Sequence, residues 1–254
     1  MSKMTVPRAG RRDKKRRETA REAFRVMRSN LLVAITGLER PSVAVTSAMP
    51  GEGKTSTCVG IAQSLAAAGL RVVLADFDLR SPDSHRVLGT TAQHGVSDVL
   101  LGGRRLEECL QELTFTSIEP VRPSIEFLPA GQPVANPSEL LTSSRTTELI
   151  SRMTMRADVV LIDAPPVLAV ADTIEIGRSV GGVVLVVEAA QTTLPSVTRA
   201  RDALARGGVN LMGVVLNRFD AKHAADAYEG APGYGPSDAE MRRGRLDERR
   251  RARA

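Results

Sequence analysis

The 254-residue chain has little of what marks several common classes of protein. Its two cysteines, Cys58 and Cys109, lack C-x-x-C spacing, so neither a zinc site nor a disulfide framework is expected. No segment approaches the roughly 18 consecutive apolar residues of a membrane span, because Glu188 ends the apolar run Gly181–Val187. The basic amino terminus is not followed by an apolar segment, so no signal peptide is expected. These absences predict a cytoplasmic protein.

Charge is distributed unevenly along the chain. The formal net charge is +6, but residues 1–17 carry +7 and residues 241–254 carry +5, which leaves about −6 on residues 18–240. Basic arms of this kind bind an anionic membrane surface or nucleic acid, or serve only as flexible solubilising tails. Neither arm contains an aromatic residue, which argues against binding of single-stranded nucleic acid.

Apolar runs alternate with helical patterns between the arms. The runs predict strands at residues 42–46, 71–75, 125–129, 158–162, 182–187 and 211–216. The other patterns predict helices, chiefly at residues 18–38, 55–68, 137–155 and 194–206. This alternation predicts an α/β fold, with a mostly parallel sheet flanked by helices on both faces. We expect a basic flexible arm at residues 1–17, one domain at 18–219 and a flexible tail at 220–254.

The most informative segment lies between the first predicted strand and the helix after it. Residues 48–55 read A-M-P-G-E-G-K-T and fit the G-x-x-x-x-G-K-[ST] pattern of a P-loop NTPase, except that Ala48 replaces the first glycine. Gly51 and Gly53 permit a tight turn whose N–H groups face phosphate at the helix N-terminus. Lys54 is expected to reach the β- and γ-phosphates, and the Thr55 hydroxyl to bind Mg²⁺. The predicted nucleotide contacts in this loop are Pro50, Gly51, Glu52, Gly53, Lys54, Thr55 and Ser56.

Two other predicted strands lead into aspartates. Asp76 and Asp78 follow one strand, and Asp163 follows another. An acid at a strand end that holds the Mg²⁺ shell is the Walker B arrangement. Either acidic cluster alone is as readily explained by a turn or a helix cap. Because ligands bind at the carboxyl ends of parallel strands, the acids and the loop together predict a site for a nucleotide with Mg²⁺.

Taken together, these motifs resemble those of the bacterial tyrosine kinases (BY-kinases), which act in capsule and exopolysaccharide synthesis. The resemblance covers about residues 18–220. It rests on the A-x-P-G-E-G-K-T loop, on the D-x-D-x-R of Asp76, Asp78 and Arg80, and on the apolar-D-x-P sequence around Asp163. The segments G-V-S-D-V-L (95–100) and N-P-S-E-L-L (136–141) follow the order of the family. The signature lysine of the deviant Walker ATPases is replaced here by Met49.

The resemblance implies a kinase that uses ATP and Mg²⁺. Lys54 and the loop amides would stabilise the phosphate oxygens during transfer. Thr55 and Asp76 would bind Mg²⁺, and Asp163 would order the water shell of the ion. These side chains, with the two described next, are the predicted catalytic and metal-binding residues.

Asp78 and Arg80 are the remaining predicted catalytic residues. Asp78 would accept the proton of a tyrosine hydroxyl. A carboxyl of pKa ~3.9 is a weak base towards a phenol of pKa ~10, so Asp78 would mainly orient the hydroxyl until the bond to phosphorus forms. Arg80 would stabilise transferred charge or contact a neighbouring subunit. Asn217 and Arg218, after the last predicted strand, are the predicted adenine contacts.

The resemblance also implies assembly and a substrate. Glu22, Arg25 and Arg28 match the oligomerisation motif E-x-x-R-x-x-R of the family, although such spacing is also common on exposed helices. Tyr228 and Tyr234 are the only tyrosines of the chain and lie in its Gly/Pro/Ala-rich tail. They are the predicted phosphoacceptors, in place of the usual cluster of tyrosines.

The implied setting is the inner face of the cell membrane, where the protein would lie peripherally. The implied partners are other copies of the chain and a membrane activator or chain-length regulator protein, and nucleic acid is not expected. Two alternatives remain open. One is an ATPase switch without kinase activity, and the other is a scaffold that binds ATP only to assemble.

Overall fold

The described part of the chain, residues 11–39, 41–115 and 123–219 of a computed structural model, forms one sheet with helices on both faces. For residues 11–17 only the backbone is described. The strands are β1 (Ser42–Ser47), β2 (Val72–Asp76), β3 (Gln111–Thr114), β4 (Ser124–Leu128), β5 (Val159–Asp163), β6 (Gly182–Glu188) and β7 (Leu211–Asn217). The helices are α1 (Arg11–Ala34), α2 (Lys54–Ala67), α3 (Ser84–Leu88), α4 (Val96–Leu100), α5 (Leu106–Cys109), α6 (Pro137–Thr142), α7 (Ser144–Thr154), α8 (Asp172–Arg178) and α9 (Leu194–Arg206).

The order of the strands brings the three sequence motifs together. The sheet runs β3-β4-β2-β5-β1-β6-β7, and every neighbouring pair is parallel except β3 with β4. The strands that lead into the aspartates, β2 and β5, are therefore neighbours, and β1, which leads into the phosphate loop, lies on the other side of β5. Parallel strands end at the same edge, so all three motifs lie at that edge.

Each face of the sheet is buried under helices. On one face, α1 and α2 cover Leu74 and Phe127. On the other face, α4 to α9 cover Phe77, Val160 and Leu185. Burial of one such side chain stabilises the fold by about 1.5–3 kcal/mol, so two apolar faces hold the central strands in place.

A close approach fixes α1 on α2. The ring of Phe24 lies over Gly60, where an added Cβ atom would come within 2.2 Å of the ring. A glycine at this position lets the two helices pack without a gap.

The structure confirms the α/β class and the mostly parallel sheet, but it corrects several predicted boundaries. Helix α1 begins at Arg11, within the predicted flexible arm, and ends at Ala34. The helix predicted over residues 137–155 is broken at Ser143, which has an extended backbone with ψ of 151°. The Ser143 hydroxyl donates to the carbonyl of Leu140 at 2.7 Å, a local bond that competes with helix continuation.

Strand β3 and the short helices were not predicted. β3 is four residues long, polar and only half buried, so it shows no apolar run. It pairs antiparallel with β4 at the end of the sheet. The helices α3, α4, α5 and α8 have at most seven residues, too few to show a helical period.

The chain divides into two units, residues 1–217 and 218–254. In the described residues, no helix is both long and apolar enough to cross a membrane. Residues 1–10, the tail at 220–254, and with it Tyr228 and Tyr234, lie outside the described residues.

Candidate nucleotide-binding site

The carboxyl ends of β1, β2 and β5 define the site. Asp76 pairs with Asp163 in the register of β2 and β5, and Val45 of β1 pairs with Asp163 on its other side. The N–H of Phe77 donates to the carbonyl of Asp163 at 2.9 Å and extends the pairing beyond β2. The two acidic motifs, distant in sequence, are thus held side by side.

The phosphate loop connects β1 to α2 with the expected backbone. Gly51 and Gly53 have φ values of 87° and 88°, in the left-handed region that favours glycine. Helix α2 begins at Lys54, so the first N–H groups of the helix lie at the end of the loop. Ala48 is fully buried, so the methyl group at the position of the missing glycine is accommodated in the core.

Lys54 forms ion pairs with acids at the carboxyl ends of β2 and β5. Its Nζ lies 2.8 Å from Oδ2 of Asp78 and 3.5 Å from Oδ1 of Asp163. The side chain of Lys54 is only 11% exposed, and that of Asp78 only 5%. The loop lysine therefore joins both acidic motifs.

Hydrogen bonds from the turn after β2 connect Asp76, Asp78 and Asp163. The N–H of Asp78 donates to Asp76 Oδ1 at 3.1 Å, and the N–H of Ser81 donates to Asp78 Oδ1 at 3.0 Å. Ser84 bonds to both other acids: its hydroxyl donates to Asp163 Oδ2 at 2.8 Å and its N–H to Asp76 Oδ2 at 3.2 Å. Ser84 was not predicted, because a single serine after an aspartate carries no motif.

Burial and mutual repulsion shift the protonation of these groups. Burial raises the pKa of Asp76 well above its usual 3.8, and the charge of Asp163 adds to this rise. Burial likewise raises the pKa of Asp163, against the opposing effect of Lys54. For Lys54, burial lowers the pKa, but the charges of Asp163 and Asp78 outweigh burial and raise the pKa above 10.5. Lys54 is therefore charged at neutral pH.

The residues of the site fit Mg²⁺ in the presence of phosphate. Carboxylates and hydroxyls are the oxygen ligands that Mg²⁺ takes, and Asp76, Asp163 and Thr55 supply them. Oδ1 of Asp163 is buried, and apart from its ion pair with Lys54 it has no hydrogen-bond partner among the described residues, so it can accept a bond from a cation or from water bound to one. Proteins hold Mg²⁺ through one or two carboxylates plus substrate phosphates. In the described parts of the chain, no group of three or more His, Cys, Asp or Glu side chains is arranged to hold a metal ion by itself.

The Arg80 side chain is bound to residues of α6 and α8. Its Nε donates to Asp172 Oδ2 at 2.7 Å, and its Nη2 donates to the Ser138 hydroxyl at 2.7 Å. The Ser138 hydroxyl in turn donates to Asp172 Oδ1 at 2.6 Å. Arg80 thus connects the turn after β2 to α6 and α8. Asp172 was not predicted, and its sequence surroundings carry no signal.

The remaining predicted loop contacts fall into two groups. Pro50, Gly51 and Ser56 are exposed. Glu52 is 5% exposed, and its carboxylate accepts hydrogen bonds from the loop N–H of Met49 and from the hydroxyl of Thr192. Asn217, predicted on the adenine side, donates its Nδ2–H to the carbonyl of Glu52 at 2.9 Å. It therefore lies against the loop, and its role towards adenine stays a prediction, as does that of Arg218.

The three residues of the predicted oligomerisation motif have different surroundings on α1. Glu22 and Arg25 form an exposed pair with Nη1 and Oε2 3.1 Å apart. Arg28 donates from Nη1 to the carbonyl of Ser64 on α2 at 3.0 Å. Glu22 and Arg25 are therefore accessible to a neighbouring molecule, whereas Arg28 ties α1 to α2.

The comparisons with known proteins agree with this geometry. Residues 43–231 match the family described as the CobQ/CobB/MinD/ParA nucleotide binding domain. The tyrosine-protein kinase YwqD of Bacillus subtilis is 33% identical over 210 residues, which cover 82% of this chain and 86% of YwqD. Wzc of Salmonella typhimurium is 34% identical over 200 residues, 79% of this chain but 27% of Wzc. The chain thus spans about a quarter of the length of Wzc.

Solved structures show the same relationship. The kinase domain of the Escherichia coli tyrosine kinase Etk superposes with a TM-score of 0.72 at 31% identity, covering 79% of this chain and 77% of that chain. MinD of Pyrococcus horikoshii, solved with Mg-ADP, superposes with a TM-score of 0.57 at 24% identity, covering 70% of each chain, and shows the fold alone.

The fold and the site define a P-loop protein of the CobQ/CobB/MinD/ParA class of nucleotide-binding domains. Within that class the chain belongs to the bacterial tyrosine kinase family, because it covers most of YwqD and shares its fold with the kinase domain of Etk. The resemblance inferred from the motifs is confirmed.

Proposed function

We propose that this protein binds ATP with Mg²⁺ at the ends of β1, β2 and β5 and transfers the γ-phosphoryl group to tyrosines of its own tail. The observation that supports this most strongly is the convergence of Lys54, Asp76, Asp78 and Asp163 in one buried cluster. A lysine with several acids beside a phosphate loop provides the groups that phosphoryl transfer needs: positioning, charge neutralisation and a group to orient the hydroxyl.

Lys54 and the loop would neutralise the phosphate oxygens. The Lys54 ammonium can form charge-assisted hydrogen bonds to the β- and γ-phosphates, once it leaves Asp78. Mg²⁺ held by Thr55 and Asp76, with Asp163 ordering its water, would supply further neutralisation of the developing charge. The loop amides at the start of α2 would hold the phosphates in place.

Asp78 would orient the acceptor. In the structure its Oδ2 is held by Lys54, so movement of Lys54 onto phosphate would release this oxygen for the tyrosine hydroxyl. In the transfer, the tyrosine oxygen forms a bond to the γ-phosphorus as the bond to the β,γ-bridging oxygen breaks, and ADP leaves. The phenolic proton passes to Asp78 as the new bond forms. Arg80, bound to Asp172 and Ser138, would hold the turn that carries Asp78.

The tail would supply the acceptors. A flexible segment of 35 residues, as predicted for 220–254, is long enough to reach the site of a neighbouring subunit. Each phosphate would add about −1.5 to −2 charge beside the acidic residues of the tail, which opposes renewed docking. Assembly through Glu22 and Arg25, a membrane activator protein, contact of the basic arms with the inner membrane surface and control of surface polysaccharide synthesis complete the proposal.

The test is phosphotyrosine mass spectrometry of the purified protein after incubation with Mg-ATP and its activator. We expect phosphate on Tyr228 or Tyr234, and its loss when Asp78→Asn is introduced. Asp76→Asn should instead weaken Mg²⁺-dependent nucleotide binding, because Asp76, unlike Asp78, is proposed to bind Mg²⁺. A protein that hydrolyses ATP but is never labelled on tyrosine would be an ATPase switch. Assembly and polysaccharide output that persist in Lys54→Met would favour a scaffold.

A further inference from the structure

Glu52, the acidic residue of the phosphate loop, accepts hydrogen bonds at both carboxylate oxygens and at its main-chain carbonyl. Oε2 of Glu52 accepts a hydrogen bond from the N–H of Met49 at 2.9 Å, and Oε1 accepts one from the hydroxyl of Thr192. The main-chain carbonyl of Glu52 accepts from Nδ2 of Asn217 at 2.9 Å. All three oxygens of Glu52 are therefore bonded to groups outside the cluster of Lys54 and the aspartates.

Thr192 lies in the connection between β6 and α9, 140 residues away in sequence. Its hydroxyl oxygen also accepts the N–H of Glu188 at 2.8 Å, and its own N–H donates to the carbonyl of Glu188 at 3.0 Å. The hydroxyl is thus fixed at the end of β6 and donates its single proton to Glu52. The ends of β6 and β7 are joined in turn, because Ala189, the residue after Glu188, donates its N–H to the carbonyl of Asn217 at 2.9 Å.

The hydrogen bonds of Glu52 have two consequences for the phosphate loop. A carboxylate beside the phosphates of a nucleotide would repel them, and the bonds to Met49 and Thr192 hold it away. Glu52 also lies between two glycines in the left-handed region, where the backbone is most free to change conformation. Anchoring the residue between Gly51 and Gly53 keeps the loop amides in place before phosphate arrives.

We propose that Thr192 is a positioning residue for nucleotide binding, which acts through Glu52 to hold the phosphate loop in its binding conformation. The proposal deepens the proposed function and rests on it. Preorganisation of this kind raises affinity, because less conformational freedom is lost on binding. The bond also couples the loop to α9, so that occupancy of the site and the position of the β6–α9 connection depend on each other.

The experiment measures Mg-ADP affinity by calorimetry for a set of variants of the full chain. Thr192→Val removes the hydroxyl at constant size, and Thr192→Ser retains it. Thr154→Val is the matched control, because the hydroxyl of Thr154 donates only to the carbonyl of Ser151 in α7. Thermal unfolding without nucleotide, monitored by circular dichroism, confirms that each variant is folded at the temperature of the titration.

We expect Thr192→Val to weaken Mg-ADP binding about tenfold, equivalent to about 1.4 kcal/mol. Thr192→Ser should stay within about twofold of the unmodified chain, as should Thr154→Val. In a Glu52→Ala background, Thr192→Val should have no further effect, because its partner is gone. The cycle separates action through Glu52 from a general loss of stability, which would weaken binding in both backgrounds.

Two results would overturn the proposal. One is Mg-ADP affinity of Thr192→Val within about twofold of the unmodified chain, and the other is a full tenfold loss that persists in the Glu52→Ala background. Failure of the unmodified chain to bind Mg-ADP would be a different outcome, which refutes the nucleotide site on which this inference rests.

Discussion

Replacement of Lys54 by methionine tests the central ion pair of the site. The change removes the cation that lies 2.8 Å from Asp78 and 3.5 Å from Asp163, while it keeps most of the apolar stem. It therefore has two separate consequences, one for phosphate binding and one for the stability of the protein without nucleotide.

The loss of phosphate contacts sets the first magnitude. A hydrogen bond to a charged group contributes about 1.5–3 kcal/mol, so ATP or ADP should bind at least about tenfold more weakly to Lys54→Met. Removal of one partner from a buried ion pair costs about 3–5 kcal/mol, because the other charge stays buried and unpaired. Asp76 and Asp163 already have raised pKa values, so uptake of protons will relieve part of this cost.

A double substitution distinguishes the two consequences. In Lys54→Met with Asp78→Asn, both members of the close pair are gone, so much of the lost stability should return. Nucleotide affinity should not return, because the phosphate still lacks its cation. Calorimetry with Mg-ADP and urea unfolding without nucleotide measure the two effects independently.

The reasoning fails in either of two cases. Unchanged Mg-ADP affinity in Lys54→Met would show that Lys54 does not contact phosphate. Equal instability of the single and double variants would show that the ion pair does not govern the stability of the site.

Three other predictions concern the loop, the turn after β2 and α1. Gly53→Ala should cost about 1–2 kcal/mol of stability and weaken Mg-ADP binding, because φ at Gly53 is 88° and the new Cβ would lie 2.1 Å from Nδ2 of Asn217. Unchanged urea unfolding of this variant would contradict the prediction. Burial raises the pKa of Asp172, but the hydrogen bonds from Arg80 and Ser138 outweigh burial and lower this pKa below 3.8. The bond between Arg80 and Asp172 should therefore stabilise the protein above pH 3.8, and this stabilisation should be lost as acid protonates Asp172. Arg80→Met should therefore destabilise by about 1 kcal/mol at neutral pH and less in acid, and a pH-independent difference in urea unfolding would refute this. Replacing Glu22 and Arg25 by alanine should shift the assembly towards monomer in light scattering, and a chain already monomeric with ATP, Mg²⁺ and its activator would rule out that role.

The sequence by itself determined the class of the fold and identified the loop and the acids that lie together at the site. In apolar runs such as that of β5, consecutive residues are apolar, so side chains on both faces of the strand must be buried. A parallel sheet covered by helices on both faces provides this burial. The glycines of the phosphate loop have the left-handed backbone that their position predicts, because no other residue adopts it without strain. These features depend on local sequence, so they are readable before any contact is known.

Only the tertiary structure decided which side chains meet. The pairing of β2 with β5 sets Asp76 beside Asp163, and no sequence spacing predicts that register. The bonds of Glu52 to Thr192 and of Arg80 to Asp172 join residues that are 140 and 92 positions apart. Such contacts arise when the order of the strands brings the ends of strands that are distant in sequence to one edge of the sheet, and this order is a property of the whole sheet. The sequence therefore predicted which charged residues lie at the site, and the fold decided which other residues hold them there.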